Sequence, residues 1–162
     1  MVFGGPGSGK STLARALGDR LGLPVIHMDH IHYTAGWTPR PHPEKVAMVR
    51  ERVAGDRWIF EGGMSSTYED RAARADMIVY LDIPLAQRLF RVIRRTARYR
   101  GRTRPDLPEG CPERFDPAFL RWIVSTARRN RRRDLAFVAA HAAKARVLRS
   151  RRQVAIFLTG IA

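Results

Sequence analysis

A glycine-rich run near the start of the chain carries the residue types that bind phosphate. Residues 4–11 read GGPGSGKS, which matches the pattern G-x-x-x-x-G-K-[ST] in full. Glycines let backbone N–H groups approach a phosphate, a lysine reaches its outer oxygens, and a serine hydroxyl binds Mg²⁺. The positive end of the following helix would face the same anion. We therefore predict an ATP site formed by Gly4, Gly5, Pro6, Gly7, Ser8, Gly9, Lys10, Ser11 and Thr12.

Three acidic residues each follow a short apolar run of the kind that forms a strand. Ligands gather at the carboxyl ends of parallel strands, where these side chains would lie. Asp29 would accept the acceptor's proton, orient the acceptor or help to hold Mg²⁺. Glu61 would contact the acceptor or Mg²⁺, and Gly62 would let the acceptor approach the backbone closely. Asp82 would hold Mg²⁺ together with Ser11. The simpler alternatives are turn residues for Asp29 and Glu61 and a helix cap for Asp82.

Arginines dominate the second half of the chain. Residues 85–162 hold 20 of the 30 basic residues and 5 of the 15 acidic ones, so the net charge of +15 arises there. Arginine clamps stabilise the charge that phosphoryl transfer spreads over the phosphate oxygens. We predict Arg95, Arg98 and Arg104 as catalytic, together with Lys10, and Arg71 as an acceptor-binding residue. For any single arginine, a solvated basic surface is the alternative.

Apolar periodicity alternates between strand and helix along the chain, which is typical of a parallel α/β domain. Strands are expected at 1–3, 24–28, 58–60, 77–81 and 146–148, and helices at 11–21, 44–54, from 85, at 119–143 with one or more breaks, and from 150. Prolines and glycines interrupt the region before 119. We predict one P-loop NTPase domain over 1–162, with three layers, a central, mostly parallel five-stranded sheet and an Arg-rich lid at 100–117.

Composition excludes several other classes of protein. A single cysteine forms neither an internal disulfide nor a cysteine metal cluster. His27, His30 and His32 lie close in sequence, but no second zinc signature supports a metal site there. No apolar run approaches the roughly 20 residues of a membrane span. No signal segment precedes the glycine-rich run, so we expect a soluble protein of the cytoplasm.

With these motifs in place, the chain resembles the adenylate-kinase-related P-loop kinases often called DNA topology modulation proteins. The resemblance covers nearly the whole chain and is carried by residues 23–29, 36–37, 58–62, 99–106, 109–113, 119–123 and 148–151. It implies a parallel sheet flanked by helices, with an arginine-bearing lid over the phosphates. Glu61 stands where such kinases usually have aspartate, and Gly63-Met64 where Asn-Tyr is common, which leaves the acceptor open.

Three functions are consistent with these residues. The favoured one is transfer of a phosphoryl group from ATP, with Mg²⁺, to a small acceptor such as a nucleoside monophosphate or a similar metabolite. The alternative is a regulatory DNA-binding NTPase, which the basic half of the chain supports. The third is a nucleotide-sensing module with little turnover.

Overall fold

The structure is a computed structural model and describes residues 1–161. Its strands are β1 (Val2–Gly4), β2 (Val25–His27), β3 (Tyr33–Thr34), β4 (Thr38–Pro39), β5 (Ile59–Glu61), β6 (Ile78–Leu81) and β7 (Ala145–Leu148). Its helices are α1 (Lys10–Leu21), α2 (Met28–His32), α3 (His42–Val53), α4 (Tyr68–Arg74), α5 (Leu85–Arg98), α6 (Pro117–Ala140) and α7 (Arg151–Thr159).

Five strands form one sheet in the order β2-β5-β1-β6-β7, and every pairing in it is parallel. The predicted fold class is thereby confirmed. Val2 of the central strand lies opposite Glu61 on one side and Val79 on the other. Because the strands run in one direction, their carboxyl ends meet at a single edge of the sheet, and the glycine-rich loop leaves from its centre.

Helices cover both faces of the sheet because side chains alternate along each strand. Val2 points to one face, where it packs with Leu13 and Leu17 of α1, and α7 completes that layer. Phe3 points to the other face, where it packs with Tyr68 of α4 and Val138 of α6. Its ring centroid lies 4.8 Å from that of Tyr68. Burial of these apolar side chains on both faces produces the three predicted layers.

Helix α5 is amphipathic, but Arg88, Arg91 and Arg95 lie on its inner side and much of its apolar side faces solvent. Arg88 is buried, whereas Phe90 is 64% exposed and Ile93 49% exposed. The inner side of the helix meets the backbone of the glycine-rich loop, which offers polar partners: Arg91 Nη1 donates to the carbonyl of Ser8 at 3.0 Å. By helical spacing in the sequence, Ile93 shares one apolar face with Leu85, Leu89 and Val92, which predicts that it is buried. For Ile93 this prediction is wrong.

Other differences from the expected elements lie outside the sheet. Helix α6 runs unbroken over 24 residues, so the predicted breaks are wrong. The short helix α2, the β3–β4 hairpin and α4 had not been predicted. Residues 99–116, called the lid below, join α5 to α6 and contain single bridges between Arg100 and Glu113 and between Thr103 and Pro112. Among the described helices, none is both long enough and apolar enough to cross a membrane.

Candidate active site

The phosphate loop turns from the end of β1 into the start of α1. Gly7 and Gly9 have φ of 75° and 97°, in the left-handed region that glycine tolerates. A Cβ on Gly7 would lie 2.3 Å from the carbonyl oxygen of Arg88, so α5 packs directly on the loop. Within residues 1–161, the N–H groups of Gly7, Gly9 and Lys10 have no protein acceptor, and the first turn of α1 has no acidic residue. These groups are free to bind an anion.

Glu61 lies at the end of β5 and is the carboxylate nearest to the loop's serine. Ser11 Oγ donates to Glu61 Oε1 at 3.1 Å, and His27 Nδ1 lies 2.8 Å from the same oxygen. Glu61 is 1% exposed, yet its Oε2 has no partner among the described residues. A buried carboxylate oxygen without a partner calls for an explanation. A hydroxyl beside a carboxylate is a ligand set that suits Mg²⁺, so these residues fit the ion.

Glu61 is held in its ionised form. Burial alone would raise the pKa of its carboxyl, but the charge of Lys10 and the bonds from His27 and Ser11 outweigh burial, and the net pKa lies below the usual value. A carboxylate that stays charged at neutral pH can serve as a cation ligand.

Asp29 lies in α2, two residues beyond the end of β2. Its carboxylate makes no hydrogen bond to the part of the chain that the structure describes. Burial raises the pKa of Asp29, Lys10 opposes this shift, and the negative charge of Glu61 adds to it, so the net pKa is above the usual value. A raised pKa makes a carboxylate a better proton acceptor for a hydroxyl at neutral pH.

Gly62 brings the loop after β5 against α2. Its φ is 122°, and a Cβ on it would lie only 2.4 Å from the Cβ of Met28. Met28 directly precedes Asp29, and Gly62 directly follows Glu61. The missing side chain therefore lets the two acidic residues share one side of the phosphate loop.

Arg71, predicted as an acceptor-binding residue, lies in the protein interior. It is fully buried in α4, where its Cζ lies 4.9 Å from the ring centroid of Phe60 and 5.0 Å from that of Tyr68. Its three nitrogens donate over 2.6 to 3.3 Å to the backbone oxygens of Gly62, Gly63, Met64 and Thr67. Burial lowers the pKa of Arg71 to about 10. Its role is to hold the loop that follows Glu61.

Two of the three predicted clamp arginines converge on one lid carboxylate. Arg95 Nε lies 3.3 Å from Glu113, and Arg104 Nε donates to the same carboxylate at 2.7 Å. Arg104 Nη1 also donates to Asp106 at 2.5 Å. Arg98, in contrast, is exposed and lies against the ring of its neighbour, Tyr99. The three arginines therefore occupy different environments.

The lid reaches across to the segment that follows Asp29. Trp37 Nε1 donates to the carbonyl of Pro112 at 3.0 Å, and the Gly36 N–H donates to the carbonyl of Gly110 at 2.8 Å. The positive charge of Arg104 in the lid acts to lower the pKa of Asp29, against the larger effect of burial. The lid thus closes over the side of the phosphate loop where the acidic residues lie.

Asp82 forms an ion pair instead of standing beside Ser11. Its two oxygens accept hydrogen bonds from Arg131 Nε and Nη2 at 2.7 and 2.9 Å, and Arg149 lies 3.6 Å away. The bidentate pair occupies one lone pair on each oxygen and neutralises the charge of Asp82. The prediction of Asp82 as the Mg²⁺ ligand is not favoured by these contacts, and Glu61 is the carboxylate that meets Ser11.

Two residues of the site were not predicted from the sequence to contribute to it. His27 had been considered only as a possible zinc ligand, and it contacts Glu61 instead. Glu113 lies in the proline-broken region, where no periodicity marks it, but it organises both lid arginines and accepts from Thr96 at 2.9 Å. An acidic residue within an otherwise arginine-rich stretch was the available signal.

Two solved structures share this fold. A shikimate kinase from Acinetobacter baumannii, in complex with shikimate, is 18% identical, with 99% of this chain and 88% of that chain covered and a TM-score of 0.61. A shikimate kinase from Bacteroides thetaiotaomicron is 21% identical, with 98% and 93% covered and a TM-score of 0.56. No protein-family model matches the sequence, and no curated protein matches it significantly.

These similarities show that the chain has the same fold as the two shikimate kinases. They agree with the kinase part of the resemblance noted from the sequence, whereas its adenylate-kinase and DNA-topology parts receive no support from them. Nothing in them supports nucleic-acid binding.

Proposed function

We propose that this protein is an ATP- and Mg²⁺-dependent kinase that phosphorylates a hydroxyl group of a small metabolite. The observation that carries this proposal is the position of two carboxylates, the partly buried Asp29 and the fully buried Glu61, beside Lys10 of the phosphate loop. One is kept ionised and has an unpartnered oxygen, and the other has a raised pKa. Two neighbouring carboxylates with opposite pKa shifts are typical of divided roles in a catalytic site.

Ser11 and Glu61 would hold the magnesium ion through hydroxyl and carboxylate oxygens. When bound, the ion supplies charge neutralisation for the β- and γ-phosphates of ATP. Lys10 and the free N–H groups of the loop would bind the same phosphates from the protein side. His27 orients the Glu61 carboxylate through the bond to Oε1, which leaves Oε2 for a cation.

Asp29 would take the proton of the acceptor. As the acceptor oxygen forms its bond to the γ-phosphorus, the O–H proton passes to the Asp29 carboxylate. The bond from the γ-phosphorus to the bridging oxygen breaks at the same time, and ADP leaves with that electron pair. Arg95 and Arg104 of the closed lid would stabilise the charge on the transferring group.

The same charges favour an alcohol over a phosphate as the acceptor. A nucleoside monophosphate would bring a dianion next to Asp29 and Glu61, and Arg71, the cation once expected to bind it, is fully occupied by backbone oxygens. A hydroxyl acceptor needs a proton acceptor, which Asp29 provides. The fold neighbours are named as shikimate kinases, one of them in complex with shikimate, which supports a small-molecule acceptor.

The test is ADP release with ATP and Mg²⁺ against a panel that contains hydroxylated metabolites, nucleoside monophosphates and no acceptor. We expect stimulation by one or more hydroxylated compounds, and loss of at least 100-fold in Lys10→Ala with an unchanged circular dichroism spectrum. Stimulation by nucleoside monophosphates alone would show that the acceptor is a nucleotide and not a hydroxylated metabolite. ATP binding without any stimulated turnover would favour a sensing module.

A further inference from the structure

A cavity of about 480 Å³ opens beside the phosphate loop, away from the proposed catalytic residues. It touches the loop at Gly5 and Pro6, and none of residues 7–12 lines it. Its other walls come from the end of β6, from α5 and from α6. The volume falls within the range of small-molecule sites, about 300 to 1,000 Å³.

A buried guanidinium without a partner lines this cavity. Arg88 is 9% exposed, and its side chain makes no hydrogen bond or ion pair with any residue of 1–161. It lies against the loop so closely that a Cβ on Gly5 would be 1.5 Å from its Nη1. Burial lowers the pKa of Arg88, and the negative charges of Asp82 and Asp134 oppose this shift only in part. A buried cation of this kind is stabilised by an anion.

The acidic residues of the cavity are already engaged. Asp82 accepts two hydrogen bonds from Arg131, and Asp134 accepts from Arg133 at 2.7 Å. The cavity is lined by these two aspartates and by four arginines, Arg88, Arg128, Arg131 and Arg149. Positive charge is therefore in excess on its wall, and Arg88 holds the buried part of that excess.

We propose that this cavity binds an organic phosphate, with the phosphate group on Arg88. The planar guanidinium suits two phosphate oxygens at once. Leu81, Ile83 and Ile123 line the same space and would contact the carbon skeleton of the ligand. The free N–H groups proposed to bind the ATP phosphates belong to Gly7, Gly9 and Lys10, and none of these residues lines the cavity.

Phenyl phosphate is a suitable probe, because it joins a phosphate to an apolar ring, and benzyl alcohol is its neutral control. We expect calorimetric titration to show binding to the wild-type protein and to Lys10→Ala, with no binding of benzyl alcohol. Arg88→Met should weaken the phenyl phosphate affinity at least tenfold, and Arg149→Ala, on a largely exposed side chain, about threefold. Arg132→Ala, an exposed arginine of α6 outside the cavity, should leave it unchanged.

Inorganic phosphate, titrated in parallel, identifies the source of the anion. Weaker binding of inorganic phosphate supports an organic ligand, and equal binding supports the same site with free phosphate as its ligand. Unchanged affinity in Arg88→Met, loss of binding in Lys10→Ala, or no binding to the wild type would overturn the proposal. If Arg88→Met fails to fold, the exposed pair Arg128→Ala with Arg149→Ala decides, and an unchanged affinity there overturns it too.

Discussion

The environment of Asp29 favours catalysis but lowers the stability of the fold. Burial raises the pKa of its carboxyl, which suits proton acceptance, but a partly buried charge without a hydrogen-bond partner costs folding free energy. The folded state binds the proton more tightly than the unfolded state does. Stability therefore falls as the pH rises above the unfolded pKa of Asp, about 3.9.

We expect Asp29→Asn to lose turnover and gain stability at once. The amide cannot accept the proton, so kcat should fall at least 100-fold, whereas the unfolding temperature at pH 7 should rise by about 2–4 °C. The wild-type kcat should also fall on acidification, as Asp29 becomes protonated. Initial rates across pH and thermal unfolding of both proteins measure these effects. A variant with normal kcat, or one that is less stable than wild type at pH 7, would show that Asp29 is a structural residue.

Glu61 and Asp82 make a matched pair for locating the metal. Because Glu61 has the free oxygen beside Ser11, we expect Glu61→Gln to raise the Mg²⁺ concentration for half-maximal rate about tenfold or more. Asp82→Asn should leave that concentration within twofold. It should lower stability by about 1 kcal/mol or less, because its arginine partners are more than half exposed. The reverse pattern in a Mg²⁺ titration would restore Asp82 as the ligand.

At the scale of elements, the lid predicts unequal effects of its arginines. Arg104 is buried and bridges Asp106 and Glu113, whereas Arg95 shares only Glu113 and Arg98 lies in solvent. We expect Arg104→Ala to reduce kcat/KM for ATP at least tenfold and Arg95→Ala by a smaller factor. Arg98→Ala should stay within twofold and serves as the control. Equal losses at all three positions would mean that the lid arginines act only through their summed charge.

The elements that periodicity marks strongly were predictable from the sequence. The five strands of the sheet and the phosphate loop are where their apolar runs and glycines indicate. Helix α4 could not be read in the same way, because it is anchored by the buried Arg71, a residue type that patterning assigns to the surface. The prediction for Ile93 failed for the opposite reason, because patterning assigns an isoleucine to the interior. The inner side of α5 packs on the polar backbone of the phosphate loop, so Ile93 faces solvent.

The sequence predicts which acidic residues lie at strand ends, but it does not predict which side chains they contact. Asp29, Glu61 and Asp82 all follow strands, and sequence cannot tell which of the three carboxylates an arginine neutralises. That choice depends on Arg131, 49 residues from Asp82 along the chain. Long-range ion pairs of this kind arise only from the packing of α6 against the sheet.

At the scale of the whole molecule, the net charge of +15 has two distinct components. Some arginines, such as Arg88, Arg91 and Arg104, turn inward toward the loop and the lid, and many others on α6 lie in solvent. We expect the exposed set to give weak, salt-steep and sequence-independent DNA binding that leaves ATP turnover unchanged. Fluorescence anisotropy at two salt concentrations, beside rates with and without DNA, tests this expectation. DNA-stimulated turnover in the absence of any small acceptor would favour the regulatory NTPase.

Transfer of label from γ-labelled ATP to a hydroxylated acceptor is the measurement that tests the central claim most directly. With the best acceptor of the panel, the wild-type protein should form one labelled acceptor for each ADP released. Lys10→Ala and Asp29→Asn should form almost none, although Asp29→Asn still binds ATP. Label released only as inorganic phosphate, or transfer that survives in Asp29→Asn at the wild-type rate, would contradict the proposed kinase mechanism.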